Sequence, residues 1–458
     1  MEQNYNSAWI EAQIEESIEA WNGCALRFPP SIPCYSLKEQ HAHEKACDQG
    51  MRAVEREARR APRNSSERQS AQRRMVALFP RFAATALDFD QETVDLLTNS
   101  FFPLGAKFAR WARSFDRSLS MADTVQACRN AWIACGMQAL LGRPMELTPS
   151  ILAYSMLYPY SDNYLDDPGL TTADKLVFNE RFRQRLCGQR IAAGNSHEAS
   201  VWTMVQMIEE QYPRQRYPQV YESLLAIHQA QGQSIAQLNN GERLNRSSDV
   251  DEVLRISCAK GGSSVLADAC IAQPWLTPEE SRFSFEWGVL LQLGDDLQDV
   301  REDLERGSLT LFTRAVQQGI PLDSLVRQLL HFSDRVANRM DNLANGTDVL
   351  KDLLRMSWRT LILMAVADAQ QFCSPAFLAE LEPCSLFHFD FLRARSEKLA
   401  SKEALYAFLF DAFVEDGDTE QAEVALPDGI RETIPCHAWI SDRVQSAHHL
   451  PALSTLTA

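Results

Sequence analysis

The sequence has no uncharged apolar run of the roughly 18–20 residues that a bilayer-spanning helix needs. The nearest approach, Asn130 to Gly142, is too short. It shows no targeting segment, because Met1-Glu2-Gln3-Asn4-Tyr5 carries neither a basic n-region nor an apolar h-region. The expectation is a soluble, intracellular protein of the cytoplasm. Val-Ile-Thr alternation bounded by hairpin turns is missing, which argues against any sheet. No GxSxG, Walker loop or dinucleotide fingerprint occurs, so serine-hydrolase, P-loop and Rossmann chemistry have no footing. Positive charge is scarce: 45 Lys and Arg stand against 61 Asp and Glu, a formal net charge of −16 over 458 residues. That balance argues against a nucleic-acid or anionic-membrane partner. It also raises the question of whether some acids are grouped to hold a cation. The 11 Cys are odd in number and scattered through apolar helical patterns, which fits reduced core thiols better than a disulfide framework.

What is present is a globular composition, 45 % apolar and 23 % charged, with helical periodicity nearly throughout. Helices are expected over 8–21, 40–60, 66–85, 91–99, 121–141, 148–165, 172–191, 198–211, 217–239, 250–272, 278–304, 309–318, 322–343, 348–372, 375–381, 385–395 and 401–414. The expected fold class is all-α. An N-terminal helical extension covers 1–100, the main helical domain covers 101–414, and 415–458 reads as a loosely ordered tail. The eight Arg between Arg52 and Arg74 are mixed with Glu and Ser, and read as a solvated amphipathic helix pair rather than a nucleic-acid surface. Cys34, His41, His43 and Cys47 share a short window, but their spacing fits no common structural zinc site.

The informative stretch is Gly288-Val-Leu-Leu-Gln292-Leu-Gly-Asp295-Asp296-Leu-Gln-Asp299-Val-Arg-Glu-Asp303-Leu-Glu-Arg306-Gly307. Residues three or four apart share a helix face. Gln292, Asp295 or Asp296, Asp299 and Asp303 therefore form one polar stripe. Like charges at that spacing destabilise an isolated helix, and a hard divalent cation with oxygen ligands would relieve the repulsion. The same stripe also suits a solvent-exposed acidic helix with Lys or Arg partners; Arg301 and Arg306 are the nearby cations, and Arg301 lies off the Asp299 face.

A second pair, Asp162 and Asp166, stands at i, i+4 near the end of an apolar helix that Pro168-Gly169 terminates. Carboxylates there oppose the helix dipole, which makes sense if a metal neutralises them. Between the two clusters runs Arg255-Ile-Ser257-Cys-Ala-Lys260-Gly261-Gly262-Ser263. Two glycines inside a helical pattern invite either a local break or a close backbone approach. Lys260 beside them is placed to meet an anion, or to snorkel from a small-residue crossing. Together these features describe two acid-bearing helices facing each other across a cavity, holding Mg²⁺ and, through metal and basic groups, a diphosphate.

These residues resemble the class I isoprenoid synthase superfamily, the all-α fold of prenyl diphosphate synthases, squalene and phytoene synthases and terpene cyclases. The resemblance covers roughly 120–315. Gln292-xx-Asp295-Asp296-xx-Asp299 looks like the second aspartate-rich motif of trans-prenyl diphosphate synthases. Asp299-Val-Arg-Glu-Asp303-Leu-Glu-Arg306-Gly307 looks like that of squalene and phytoene synthases. The first pair is closer to the squalene and phytoene pattern. The double Arg of chain-elongating synthases is not found, nor is the NSE-type motif of ordinary microbial cyclases. The combination resembles the class IB terpene synthases. It implies that Asp162, Asp166, Asp295, Asp296, Asp299 and Asp303 bind Mg²⁺, with three ions the expected number. It also implies that Lys260 and, more weakly, Arg255 and Gln292 lie on the diphosphate side, and offers Tyr158, Phe285 and Trp287 as cavity aromatics. The implied activity is Mg²⁺-dependent terpene synthesis from a linear prenyl diphosphate. A prenyltransferase, condensing or elongating, is the nearest alternative, and a non-catalytic helical interaction protein the more distant one. The fold often pairs, which leaves a homodimer open.

Overall fold

The computed structural model describes residues 8–60, 65–167, 169–246 and 250–400. Among them every regular element is a helix and none is a strand. In chain order the helices are α1 (Ala8–Asn22), α2 (Leu37–Ala58), α3 (Ser65–Ala86), α4 (Gln91–Leu96), α5 (Phe102–Phe115) and α6 (Met121–Leu140). There follow α7 (Pro149–Asp166), α8 (Thr172–Leu186), α9 (Ser196–Gln211), α10 (Pro218–Arg246), α11 (Val250–Ala272) and α12 (Pro278–Gln298). The last are α13 (Val300–Arg306), α14 (Leu311–Gln317), α15 (Asp323–Asp341), α16 (Asp348–Asp368), α17 (Pro375–Leu381) and α18 (Phe389–Ala400). The expected helix at 401–414 and the tail at 415–458 lie outside the described residues. No described helix is long and apolar enough to cross a membrane.

Local chemistry sets most boundaries. Thr277 caps α12 with Pro278 in its first turn and Glu280 closing a capping box. Thr148 and Pro149 begin α7 in the same manner. Gly307, with φ +74°, ends α13 in the left-handed conformation that an L side chain resists. Two expectations are corrected. No helix was expected between 99 and 121, yet α5 is there, entered through a π turn at Leu97–Phe101. Pro103 lies in the first turn of α5, directly after the π turn. The expected single helix over 278–304 is two, parted at Asp299 (φ −90°, ψ 7°).

The centre of the molecule is α11 against α12. α11 is buried on nearly every side, by α10, α6, α7 and α1 as well as α12, and α12 also meets α15 and α16. Helices apolar all round belong in a core. α11 runs unbroken through Gly261 and Gly262, so the glycines serve a close approach and not a break. A Cβ on Gly261 would stand 2.4 Å from the Gly288 carbonyl oxygen, and one on Gly288 would stand 2.0 Å from that of Gly261. Gly262 faces the Phe285 ring just as tightly. The two backbones are thus in direct contact. Phe285 and Trp287, open to reading as cavity aromatics or, more simply, as ordinary core, are core: both are buried, and Trp287 packs on Phe283 and Trp358 with ring centroids 5.6 Å apart in each case.

Residues of the 1–100 segment share this core. Ile10, Ile14, Ile18 and Trp21 line the buried face of α1, which packs on α11, α12 and α15. Fully buried Glu286 of α12 is neutralised by Arg282 at 2.8 Å and by Arg339 of α15.

The crossing predicts a sharp contrast between glycines. Gly288→Ala should lower stability by about 1–3 kcal/mol or more through overpacking. Gly136→Ala, also buried in a helix but 4.0 Å from the nearest foreign atom, should be neutral or stabilising by up to about 1 kcal/mol. Denaturant unfolding of both variants checks this, and equal effects would refute the contact.

Candidate functional site

The crossing holds Lys260 of α11 just outside the glycine contact, and three other helices bring polar groups to it. From α7, Asp162 Oδ1 lies 3.9 Å from Lys260 Nζ. From α10, the Gln231 amide donates to the same Asp162 oxygen at 3.4 Å. Tyr158, one turn before Asp162, has its phenol pushed well up, first by the Asp162 charge and then by burial, with Asp295 adding and Lys260 and Arg129 opposing. This one hydroxyl therefore lies within electrostatic reach of acids on α7 and on α12.

The α12 acids divide by orientation. Asp295 is solvent-accessible, yet surrounding protein raises its carboxyl, with Arg129 and Lys260 pulling the other way. Asp296 turns inward: it is buried, and its two oxygens accept from Ser257 Oγ at 2.6 Å and Gln292 Nε2 at 2.8 Å. Burial pushes its pKa up to about 6 against those hydrogen bonds, with Asp303 and Asp295 adding to the rise. Asp299, at the joint between α12 and α13, is pushed up to about 7, first by burial and then by Asp295, Asp303, Glu302 and Asp296. Asp303 is raised by burial, with Arg306, Ser308 and Lys260 opposing. The joint does not disrupt the ladder: Asp299 N donates to Asp295 O at 2.8 Å, and Asp303 N to Asp299 O at 2.9 Å. The i, i+4 stripe therefore survives. Arg301 reaches the Asp368 carbonyl, and Arg306 pairs with Glu302 while also lying within electrostatic reach of Asp303 at the end of the stripe.

The structure thus brings Asp162 to Lys260 and sets Asp295 and Asp303 within electrostatic reach of that lysine, with Asp299 between them on the stripe and Gln292 bonded to inward-turned Asp296. Asp166 is the final residue of α7, and its side chain lies outside the described residues. Arg255 is a correction. Its guanidinium pairs with Glu11 at 3.2 Å and with Glu15, both on α1, which turns it away from the site. Arg129 of α6 is the residue that sequence reasoning missed. A lone, partly buried arginine in an otherwise apolar helix has no spacing partner to reveal it. The donor set, all carboxylate oxygen, fits a hard divalent cation. The carboxylates are spread along the stripe rather than drawn to one point. Asp296, with both oxygens already accepting hydrogen bonds, buttresses the site more than it offers a ligand.

Beside Asp162 lies a small hollow of about 30 Å³, lined by Tyr158 and Gln231 and by the apolar Leu157, Phe182, Leu224 and Ile227. His228 also lines it. Its ring meets the Asn179 carbonyl at 2.9 Å, and burial holds its pKa down to about 4. The imidazole is therefore neutral at pH 7.

An acid whose pKa is higher in the folded chain than its unfolded value near 3.9 carries a proton there that the unfolded chain has lost. Its contribution to stability therefore falls as pH rises from about 4 through about 7. In the metal-free protein, Asp299→Asn should raise the melting temperature at pH 8 by on the order of a few °C, with the gain fading by pH 4. Calorimetry across that range tests it. A melting temperature unchanged at pH 8 would mean that the aspartates do not repel one another there.

No family model, curated protein or solved structure matches this chain.

Proposed function

We propose that the chain is a Mg²⁺-dependent enzyme that ionises a linear prenyl diphosphate and converts the carbocation into a terpene. The reading rests on one observation above the others. Lys260 lies 3.9 Å from Asp162 and within electrostatic reach of Asp295 and Asp303, and the Tyr158 and Gln231 beside Asp162 also line a small, largely apolar hollow. Asp295, Asp299 and Asp303 are the ligands on one wall, and Asp162, with Asp166 from the sequence pattern, on the other. Mg²⁺ bound there supplies the charge neutralisation that lets a diphosphate depart.

The chain's own residues have separable parts in this reading. Lys260 donates to a diphosphate oxygen, and Arg129 adds a second cation behind Asp295. The carbon–oxygen bond breaks with both electrons leaving on the diphosphate, and the allylic cation remains in the hollow. The Tyr154, Tyr158 and Phe182 rings border that space and favour a cation over their faces. Neutral His228 adds no opposing charge. Water kept out of the apolar floor leaves proton loss or controlled hydration as the exit.

Incubation with C10 to C25 prenyl diphosphates and Mg²⁺ is expected to yield a hydrocarbon or alcohol and free diphosphate from a single substrate. Dependence on isopentenyl diphosphate would move the reading to chain elongation, and C30 or C40 products to head-to-head condensation. No turnover of any substrate would favour the interaction-protein alternative. Asp299→Ala and Lys260→Ala should each cut turnover by about 10²-fold or more with helicity retained by circular dichroism. Undiminished diphosphate release by either would remove that residue from the site.

A further inference from the structure

A second constellation, remote from the aspartates, joins the start of the chain to its later part. Ser36 caps α2 with Glu39 as its box partner, and this fixes the face on which His41 and Glu44, three apart, both stand. Against that face lies the turn before α18. His388 presents Nδ1 to Glu44 Oε1 at 2.6 Å, and its backbone N–H donates to the same oxygen at 3.1 Å. The His41 and His388 rings have centroids 4.9 Å apart. One donor atom from each of His41, Glu44 and His388 lies within 4.8 Å of the others, although more than 340 residues separate the two segments.

The surroundings hold this geometry in place. Buried Gln40 donates to the Glu382 and Ser385 carbonyls, both at 2.9 Å. Tyr35 N donates to the Pro383 carbonyl at 2.7 Å, and Phe389 N to Glu382 Oε1 at 2.9 Å. The other candidates from the short Cys/His window are diverted. Cys34 Sγ faces Cys384 Sγ at 3.9 Å, His43 packs edge-on against Tyr35 and Phe387, and Cys47 is buried. His41 alone of the four is left to this cluster, and it is exposed.

We propose that His41, Glu44 and His388 form a binding site for a zinc-class divalent metal ion that clips α2 to the entry of α18. Two imidazoles and one carboxylate suit Zn²⁺ and its neighbours, whereas Mg²⁺ prefers oxygen alone. Three protein ligands leave a fourth position, which the exposure of His41 opens to water. The site is independent of the aspartate cluster and of the reaction proposed there.

The test is Zn²⁺ titration of the chelator-stripped full chain against a chromophoric competitor, in excess Mg²⁺ to mask the aspartates. The parent should bind one Zn²⁺ that His41→Ala, Glu44→Gln and His388→Asn each weaken by at least about tenfold, the loss that even an outer-shell change produces. Zn²⁺ should raise the melting temperature of the parent and not of His41→Ala, whose exposed side chain can be removed without disturbing the fold. Affinity and thermal shift that persist in all three variants, or a parent that binds no Zn²⁺ at micromolar concentration, would overturn the site.

Discussion

The contact between Gly261 and Gly288 fixes the distance and register of the two central helices, and the rest of the candidate site takes its position from that register. With the backbones touching, Gln292 stands directly over Gly261, and Asp296 comes within reach of Ser257 one turn below. Lys260 emerges beside the aspartates and not above or below them. Helix pairs separated by ordinary side chains tolerate a sliding of one ridge past another. A pair pressed backbone to backbone, with a phenylalanine ring filling the next groove, does not. The precision a charged site needs is supplied by residues that carry no charge and no side chain.

How far the sequence reveals the site follows from the range of each interaction. Asp162, Lys260 and the 295–303 acids were legible because helical spacing alone puts them on faces. An all-α chain can be read in units of three and four residues. Partners that come together through tertiary packing leave no such trace. Arg129 comes within electrostatic reach of Asp295 because α6 packs on α11, and Arg255 is drawn to α1 by two glutamates far back in the chain. His388 has no neighbour in sequence that announces a role, and it becomes notable once α2 lies against it. The joint at Asp299 falls on the acidic position itself, and the local hydrophobic pattern continues through it unaltered.

Charge is handled differently in the two parts of the core. Glu286 is fully buried but compensated by two arginines from its own helix and from α15, an arrangement in which removing either side leaves an unpaired charge. The carboxyls at 295, 299 and 303 are each raised first by burial, and Asp299 in addition by its acidic neighbours at 295 and 303. Glu286 thus has its counter-charges built into the fold, whereas burial and, at Asp299, neighbouring acids leave the stripe's charged form disfavoured.

The docking of α1 has a consequence for how the chain is made. Its apolar face is covered by α11, α12 and α15, the first of which begins at Val250. A ribosome adds about 5–20 residues per second, so Ile10, Ile14, Ile18 and Trp21 wait on the order of 10–50 s after synthesis before their seat exists. During that interval the first helix offers a bare apolar stripe to whatever is nearby. A holding chaperone, or a second nascent copy of the chain, would meet it before its own core does.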